Sequence, residues 1–224
     1  MTKPWLARHW LRVVVHGVGV ALLAWLGAVY AFGLAPLPER YVMLLSGTLG
    51  LLFLTASLAC TPLRWAGFAR VGQVRRALGL YAFAFISIHL AVYAVAENGL
   101  DAALIVRDLD ERRAMLIGVA AFVLLLPLAV TSTAGWQRRL GRRWRTLHRL
   151  VYAAAVLSVW HYLWLDRDIL TTPILYALIV GALLAVRLAR RVAARQGSSF
   201  PALPLFLFPV PFPFVPFAIL HGNP

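Results

Sequence analysis

The sequence is short of charged residues, cysteine and nucleotide-binding motifs. Only 13% of its 224 residues are charged, against roughly 25% in a typical soluble domain. The single cysteine, Cys60, excludes a disulfide framework and a thiolate metal cluster. No glycine-rich fingerprint follows a predicted strand, so no NAD- or FAD-binding domain is expected. The apolar stretches also contain no recognisable nucleophile, paired carboxylates or substrate-shaping motif.

What the sequence has instead is apolar length. Hydrophobic residues make up 62% of the chain, and the mean hydropathy is +0.79. They fall in runs of about twenty residues, the length that crosses a hydrocarbon core of about 30 Å. The sequence therefore predicts an all-α, polytopic membrane bundle with six transmembrane helices. The predicted spans are Val13–Phe32, Tyr41–Cys60, Ala77–Ala96, Ala114–Thr133, Leu147–Leu165 and Ile169–Val186.

The net charge of +14 is distributed according to the predicted topology. Seventeen of the 22 Lys and Arg residues lie in the N-terminal segment, the second and fourth loops and the segment after the last span, with no acidic residue among them. All eight acidic residues and the other five basic ones lie in the remaining three loops. The positive-inside rule then predicts that both termini are cytoplasmic. This pattern argues against nucleic-acid binding and favours attraction to anionic membrane lipid.

Two segments outside the spans differ from ordinary loops. Residues 97–113 form the longest external connection, either a solvated loop or a docking segment for a partner. Residues 196–224 form an apolar, proline-rich C-terminal tail, which follows the predicted transmembrane domain of residues 1–195. Its prolines prevent a regular helix, and a spanning segment must satisfy its own backbone groups. We therefore predict an irregular, extended or membrane-surface tail.

Three of the four histidines within the predicted spans, His89, His148 and His161, are the main candidate ligands. Ionisable groups in a membrane usually face the bundle interior, and imidazole is a common metal ligand. His89 and His161 lie roughly 18 Å and 21 Å from the cytoplasmic ends of their spans, at a rise of 1.5 Å per residue. This matched depth suits two axial ligands on opposite faces of one haem. His148 lies roughly 20 Å nearer the cytoplasm, where it would serve an inner haem or an alternative ligation state.

Further polar residues near the inner face are candidates for supporting roles. His16 would complete an inner site with His148, or would simply hydrogen-bond a neighbouring carbonyl. Arg75, Arg145 and Arg149 suit haem propionates or a nucleotide phosphate, although topology alone also accounts for such arginines. His9 and His221 lie outside the spans, where a solvated surface role is expected.

Four segments together resemble one family, MsrQ, formerly YedZ, of the ferric-reductase-like transmembrane superfamily. The most specific is the run from Thr131 to Tyr152, which ends in Leu-His-Arg-Leu-Val-Tyr. The likeness extends through Arg191, and only the tail departs from it. The other three segments are Arg75–Tyr81, Ile88–Tyr93 and His161–Trp164.

The resemblance implies a b-type cytochrome subunit of a bacterial methionine sulfoxide reductase system. Such a subunit carries electrons across the inner membrane to MsrP, a periplasmic molybdopterin enzyme that repairs oxidised methionine in proteins. It implies one or two haems b held by His89, His148 and His161, with Arg75 in the place of the fourth histidine of two-haem relatives. It also implies FMN, and electrons from a cytoplasmic flavin reductase or the quinone pool. The catalytic subunit would be the partner.

Two other functions remain open from the sequence. The first is a self-contained ferric or quinone reductase that uses the same haems. The second is a haem-free transporter, since transporters commonly have discontinuous helices around a midplane site. Pro127 and Pro173 are the hints of helix interruption in the spans.

Overall fold

A computed structural model describes residues 5–165 and 171–196 of the chain, and within these ranges the regular structure is helical. A short 3₁₀ turn over Ala69–Gln73 precedes the third α-helix, and a π-helical turn over Tyr93–Glu97 follows it. The α-helices are α1 (Trp5–Phe32), α2 (Pro38–Trp65), α3 (Arg75–Val92), α4 (Ala102–Glu111), α5 (Arg113–Val130), α6 (Ala134–Leu140), α7 (Arg142–Leu147), α8 (Leu150–Leu165) and α9 (Thr171–Arg195).

The prediction of an all-α, polytopic membrane protein is confirmed. In the described part of the chain, five helical segments are long and apolar enough to cross a membrane, namely α1, α2, α3 with its π-helical turn, α5 and α9. The described part of α8 is 16 residues long, and residues 166–170 are outside the described ranges. A sixth crossing by α8 and the cytoplasmic placement of both termini therefore stay predictions. The proline-rich tail also lies outside the described residues.

Two predicted connections are partly helical. The segment 97–113 contains α4, whose N-terminus is capped by the Asp101 carboxylate through the backbone N–H groups of Ala103 and Leu104. The Tyr93 hydroxyl donates a hydrogen bond to Asp108, which fastens α4 to the π-helical turn after α3. The connection 97–113 therefore contains an ordered helix and is not simply a solvated loop.

The fourth connection contains α6 and α7, which are separated at Gly141 by a backbone φ of 51°. Such a positive φ favours glycine because glycine lacks a Cβ. The helix of the fifth predicted span, α8, begins at Leu150 and not at Leu147 as predicted, because residues 148 and 149 form a turn after α7. His148 therefore lies just before α8, and a rise counted along one continuous helix from His148 to His161 does not apply.

Helix packing brings α2 against α3 and α5 against α8, and α8 and α9 also contact α2. Small residues allow this close approach, as in other membrane bundles. Gly50 of α2 faces Ile86 of α3, and Ala154 and Ala155 of α8 are completely buried. The largest fully buried side chain, Phe85, contacts the ring of Phe53 across the α2–α3 interface. α2 is thus the central helix of the bundle.

A proline in α2 creates a backbone defect that α9 repairs. Pro62 has no N–H, so the carbonyl of Leu58, four residues earlier, loses its helical donor. Nη2 of Arg187 in α9 donates a hydrogen bond to that carbonyl, while Nη1 donates to Leu183 O at 2.7 Å. Arg187 is only 5% exposed. This buried arginine therefore ties α9 to α2 at a point where a membrane helix would otherwise leave an acceptor unsatisfied.

The other prolines within the described spans do not interrupt their helices. α5 runs to Val130 through Pro127. Pro173 lies in the first turn of α9, where a backbone N–H has no helical partner in any case. The hint of discontinuous, transporter-like helices at these positions is therefore wrong.

We predict that Arg187→Met lowers the free energy of unfolding by about 1–3 kcal/mol, the cost of a buried acceptor left without a donor. Adding Pro62→Ala supplies an N–H at residue 62 that can donate to Leu58, so the double variant should recover part of the loss. Thermal unfolding in detergent micelles measures both, with Pro62→Ala alone as the control. If the stability losses of Arg187→Met and Pro62→Ala were strictly additive in the double variant, the two residues would not be coupled through the Leu58 carbonyl.

Candidate functional site

The structure brings together His89 of α3 and His161 of α8, as their matched depth in the sequence predicts. Their ring centroids are 6.3 Å apart, and the ring planes are inclined by 78°. Both side chains are partly buried. Each histidine contacts a different neighbouring helix: His89 contacts α2, and His161 contacts α5.

Each ring is oriented by a hydrogen bond to a helix carbonyl. Nδ1 of His89 is 2.8 Å from Met43 O, and Nδ1 of His161 is 2.7 Å from Ala114 O. Because a carbonyl oxygen only accepts, Nδ1 carries the proton in both rings and Nε2 keeps its lone pair. Metal-bound histidines use this same arrangement, in which the outer nitrogen donates to a carbonyl and fixes the tautomer. Both imidazoles are therefore prepared to ligate through Nε2.

A glycine makes each of these carbonyls accessible. Gly47 lies four residues after Met43, and Gly118 lies four residues after Ala114. A Cβ at Gly47 would be 2.8 Å from Nδ1 of His89, and a Cβ at Gly118 would be 2.8 Å from Nδ1 of His161. Real Cβ atoms essentially never approach so closely. The two rings thus occupy space that any other residue would fill, and the pairs α2–α3 and α5–α8 repeat one local geometry.

These glycines and carbonyls were not predicted from the sequence. Glycines also occur at positions 17, 19 and 27 of the first predicted span, so a glycine within an apolar run does not by itself mark a histidine contact. Gly17 and Gly27 in fact face open space. A glycine marks a histidine site only when it lies beneath a histidine of another helix, and this contact forms only when the helices pack together.

His148 is held in a second environment. Its Nδ1 is 3.1 Å from Trp144 O, and its ring stacks on that of Trp144 at a centroid distance of 3.9 Å. Nε1 of Trp144 donates to Thr131 O at 2.9 Å, which anchors the stack to the end of α5. Nε2 of His148 is buried and makes no hydrogen bond of ordinary geometry in the described part of the chain, although the backbone of Leu128 lies close enough to act on the ring. This nitrogen is compatible with ligation, but its contacts differ from those of His89 and His161.

The other candidate residues are placed less closely together. His16 of α1 is exposed, and its Nδ1 is 3.1 Å from the hydroxyl of Tyr81 in α3. Its described ring contact is with Tyr81 and not with His148. Arg145 and Arg149 are exposed near His148 in the chain. Arg75 is also exposed, and its positive charge acts on His148 from the start of α3.

In the described residues, no group of three or more His, Cys, Asp or Glu side chains is arranged to hold a metal ion. His89 and His161 are thus two neighbouring imidazoles without a third described protein ligand of these types. Two nitrogen ligands on opposite sides are what a porphyrin-bound iron requires, because the macrocycle supplies the other donors. The donor set fits a haem.

The chain matches one protein-family model and several curated proteins. The family described as ferric reductase like transmembrane component matches residues 42–159, which include His89 and His148. A methionine-sulfoxide reductase haem-binding subunit MsrQ of Rhodospirillum rubrum is 42% identical over 195 residues, covering 85% of this chain and 93% of that protein. The chain belongs to the MsrQ family.

Two further MsrQ proteins show the same extent of similarity. That of Xanthomonas euvesicatoria is 39% identical over 208 residues, with 86% of this chain and 94% of the relative covered. That of Salmonella enteritidis is 39% identical over 184 residues, with 81% and 92% covered. No solved structure matches the chain. The recognition of the MsrQ family from the sequence is confirmed.

We predict that Gly47→Ala and Gly118→Ala each displace a histidine ring and lower the amount of haem that the purified protein retains, because the new methyl group takes the space of Nδ1. Pyridine haemochrome analysis and the Soret spectrum measure the effect. Gly27→Ala is the matched control, since nothing lies within 4 Å of its Cβ position. Full haem retention with an unaltered spectrum in both glycine variants would contradict the proposed contact.

Proposed function

We propose that the chain is a transmembrane b-type cytochrome of the bacterial inner membrane that delivers electrons to an MsrP-type periplasmic molybdoenzyme. The electrons would come from a cytoplasmic flavin reductase or from quinol, and the partner would reduce methionine sulfoxide in oxidised proteins. This chain would be the electron-transfer subunit and not the catalytic one. Family membership supports this function, because the curated relatives are named as haem-binding subunits of a protein-methionine-sulfoxide reductase.

The observation that carries the proposal is the spacing of His89 and His161. An imidazole nitrogen binds a metal at about 2 Å, and the ring centroid lies about 1 Å behind that nitrogen. Two imidazoles on one iron therefore have centroids about 6 Å apart, and the observed distance is 6.3 Å. The hydrogen bonds of both Nδ1 atoms leave both Nε2 atoms as the ligating positions.

The protein's own contribution is orientation within an apolar site. Haem, when bound, supplies a one-electron couple of its iron. Met43 O and Ala114 O accept from the two Nδ1–H groups, which raises the basicity of the imidazoles and holds their rings in place. Phe83 stacks on Phe122 at 5.6 Å, so apolar rings also join α3 to α5. Such burial tunes a haem potential by excluding water.

An inner site is a separate part of the proposal. His148, whose Nε2 is buried, would serve an inner haem or an alternative ligation state. His16 is the candidate additional ligand, and Arg75, Arg145 and Arg149 are the candidate contacts for haem propionates or the phosphate of FMN. The exposed position of His16 and its contact with Tyr81 favour the simpler role of a hydrogen-bonding residue. FMN is proposed from the family resemblance alone.

We expect that His89→Ala and His161→Ala each abolish the haem proposed between them, because each removes one of the two imidazoles that would hold its iron. His148→Ala should leave much of that haem, since His148 makes its contacts with Trp144 and not with that pair of histidines. Haem per polypeptide and the reduced-minus-oxidised α-band measure the difference. Equal and total loss of haem in all three variants would contradict the assignment of His148 to a separate inner site.

The direction of electron flow gives a second test. The reduced protein in proteoliposomes should be reoxidised rapidly when an MsrP-type enzyme and an oxidised protein substrate are added together, and slowly with either alone. His161→Ala should lose this reoxidation, while the control Gly27→Ala should keep it. Comparable oxidation by a ferric chelate or a quinone without any partner would instead favour a self-contained reductase. Absence of Soret and α bands after expression with adequate haem would refute the cytochrome altogether.

A further inference from the structure

The C-terminal half of α9 and the start of α8 enclose a groove that the proposed electron transfer does not use. The groove has a volume of about 280 Å³ and is lined by Tyr152 of α8 and by Leu184, Ala185, Arg187, Leu188 and Arg191 of α9. Its walls combine apolar side chains with two guanidinium groups. Leu188 is 63% exposed, so the groove opens toward the surroundings of the bundle.

Both arginines of the groove stack on one aromatic ring. The guanidinium carbons of Arg187 and Arg191 lie 5.7 Å and 5.8 Å from the centroid of Tyr152. Arg187 is 95% buried, since its exposure is 5%, and its Nε has no hydrogen-bond partner in the described part of the chain. Arg191, one helical turn later, is exposed. Two positive charges are thus concentrated at one point on the groove wall.

No carboxylate of the described residues balances these charges. The Tyr152 hydroxyl is a hydrogen-bond partner of the Arg187 side chain, but it is a neutral group, and the charged groups that act on Arg187 are Arg75 and Arg191, both of the same sign. Glu39 is at the first turn of α2, whereas Leu58, the residue that Arg187 contacts, is 19 residues along that helix, or about 28 Å. The other described acidic residues lie between 97 and 111, after the far end of α3. A buried charge is rarely left unpaired, so the groove suits an anion that the described residues do not supply.

The location decides the kind of anion. The groove is at the end of α9, a helix long and apolar enough to cross a membrane, and the ring of Trp65 at the end of α2 lies beneath Arg190 at 4.5 Å. Tryptophan is typical of the level of lipid headgroups. A soluble phosphate would use the guanidinium groups but not the apolar wall of Leu184 and Leu188. An anionic phospholipid uses both, and basic pockets between helices bind such headgroups in other membrane proteins.

We propose that this groove is a binding site for one anionic phospholipid, whose phosphodiester lies against Arg187 and Arg191 and whose acyl chain lies along Leu184 and Leu188. The lipid supplies the counter-charge that the described residues do not provide near Arg187. It would thereby stabilise the junction at which Arg187 joins α9 to the Leu58 carbonyl of α2.

Native mass spectrometry of the haem-loaded protein with phosphatidylglycerol or phosphatidylcholine of identical acyl chains tests the site. The wild type should bind one phosphatidylglycerol in preference to phosphatidylcholine. Arg191→Gln should weaken that binding about fivefold, the factor equivalent to roughly 1 kcal/mol per arginine at a membrane surface. Arg191 is exposed, so this variant should fold even if changes at Arg187 do not. The matched control is Arg138→Gln, which removes an exposed arginine of α6 outside the groove.

Three results would overturn the proposal. Equal retention of the two lipids would show that the groove does not select charge. Equal weakening by Arg191→Gln and Arg138→Gln would show that the basic end of the bundle attracts lipid diffusely. Displacement of the lipid by millimolar inorganic phosphate would assign the groove to a soluble anion. Selective binding that is lost only in Arg191→Gln supports the lipid site.

Discussion

The hydrogen bond from a histidine Nδ1 to a helix carbonyl above a glycine is the interaction on which the candidate site depends. It occurs twice, from His89 to Met43 and from His161 to Ala114. A carbonyl within a helix already accepts one backbone N–H, and its second lone pair is normally shielded by the side chain four residues later. Glycine removes that shield. One missing Cβ on each neighbouring helix thus allows the contact that fixes the tautomer and the ring position and leaves Nε2 unprotonated.

The same requirement that every polar group find a partner shapes the basic end of the bundle. There, Pro62 leaves the Leu58 carbonyl without a helical donor, and Arg187 reaches across from α9 to supply one. This arrangement buries a guanidinium group on which no carboxylate of the described residues acts. The solution to one unsatisfied backbone acceptor therefore creates a need for an anion, which connects the packing of α2 and α9 to the lipid surroundings.

The two histidine environments differ in how rigidly the fold holds them. His89 and His161 project from long helices packed against α2 and α5, so their positions follow from the core of the bundle. His148 lies in a turn between α7 and α8 and is held by stacking on Trp144, which is itself fastened to the end of α5. The packed helices thus fix the positions of His89 and His161. The inner position depends on a local stack near the surface.

Much of this organisation follows from the sequence alone. Apolar runs of membrane-spanning length, the separation of basic from acidic loops and the positions of His89 and His161 along their spans predict a helical membrane protein with a paired-histidine site. These features are periodic or compositional, so they can be identified without knowing which helices pack against each other. The family is recognisable for the same reason, because its segments are contiguous in the chain.

Only the tertiary structure decided which groups meet. Gly47 lies 42 residues before His89, and Gly118 lies 43 residues before His161, so no local pattern links them. The break at residues 148 and 149, which moves His148 out of α8, was also not apparent from hydropathy. Arg187 reads in the sequence as a topology determinant, yet the fold buries it against Leu58. Hydropathy determines that a helix enters the membrane, whereas contacts between helices depend on their rotation and spacing, which packing alone sets.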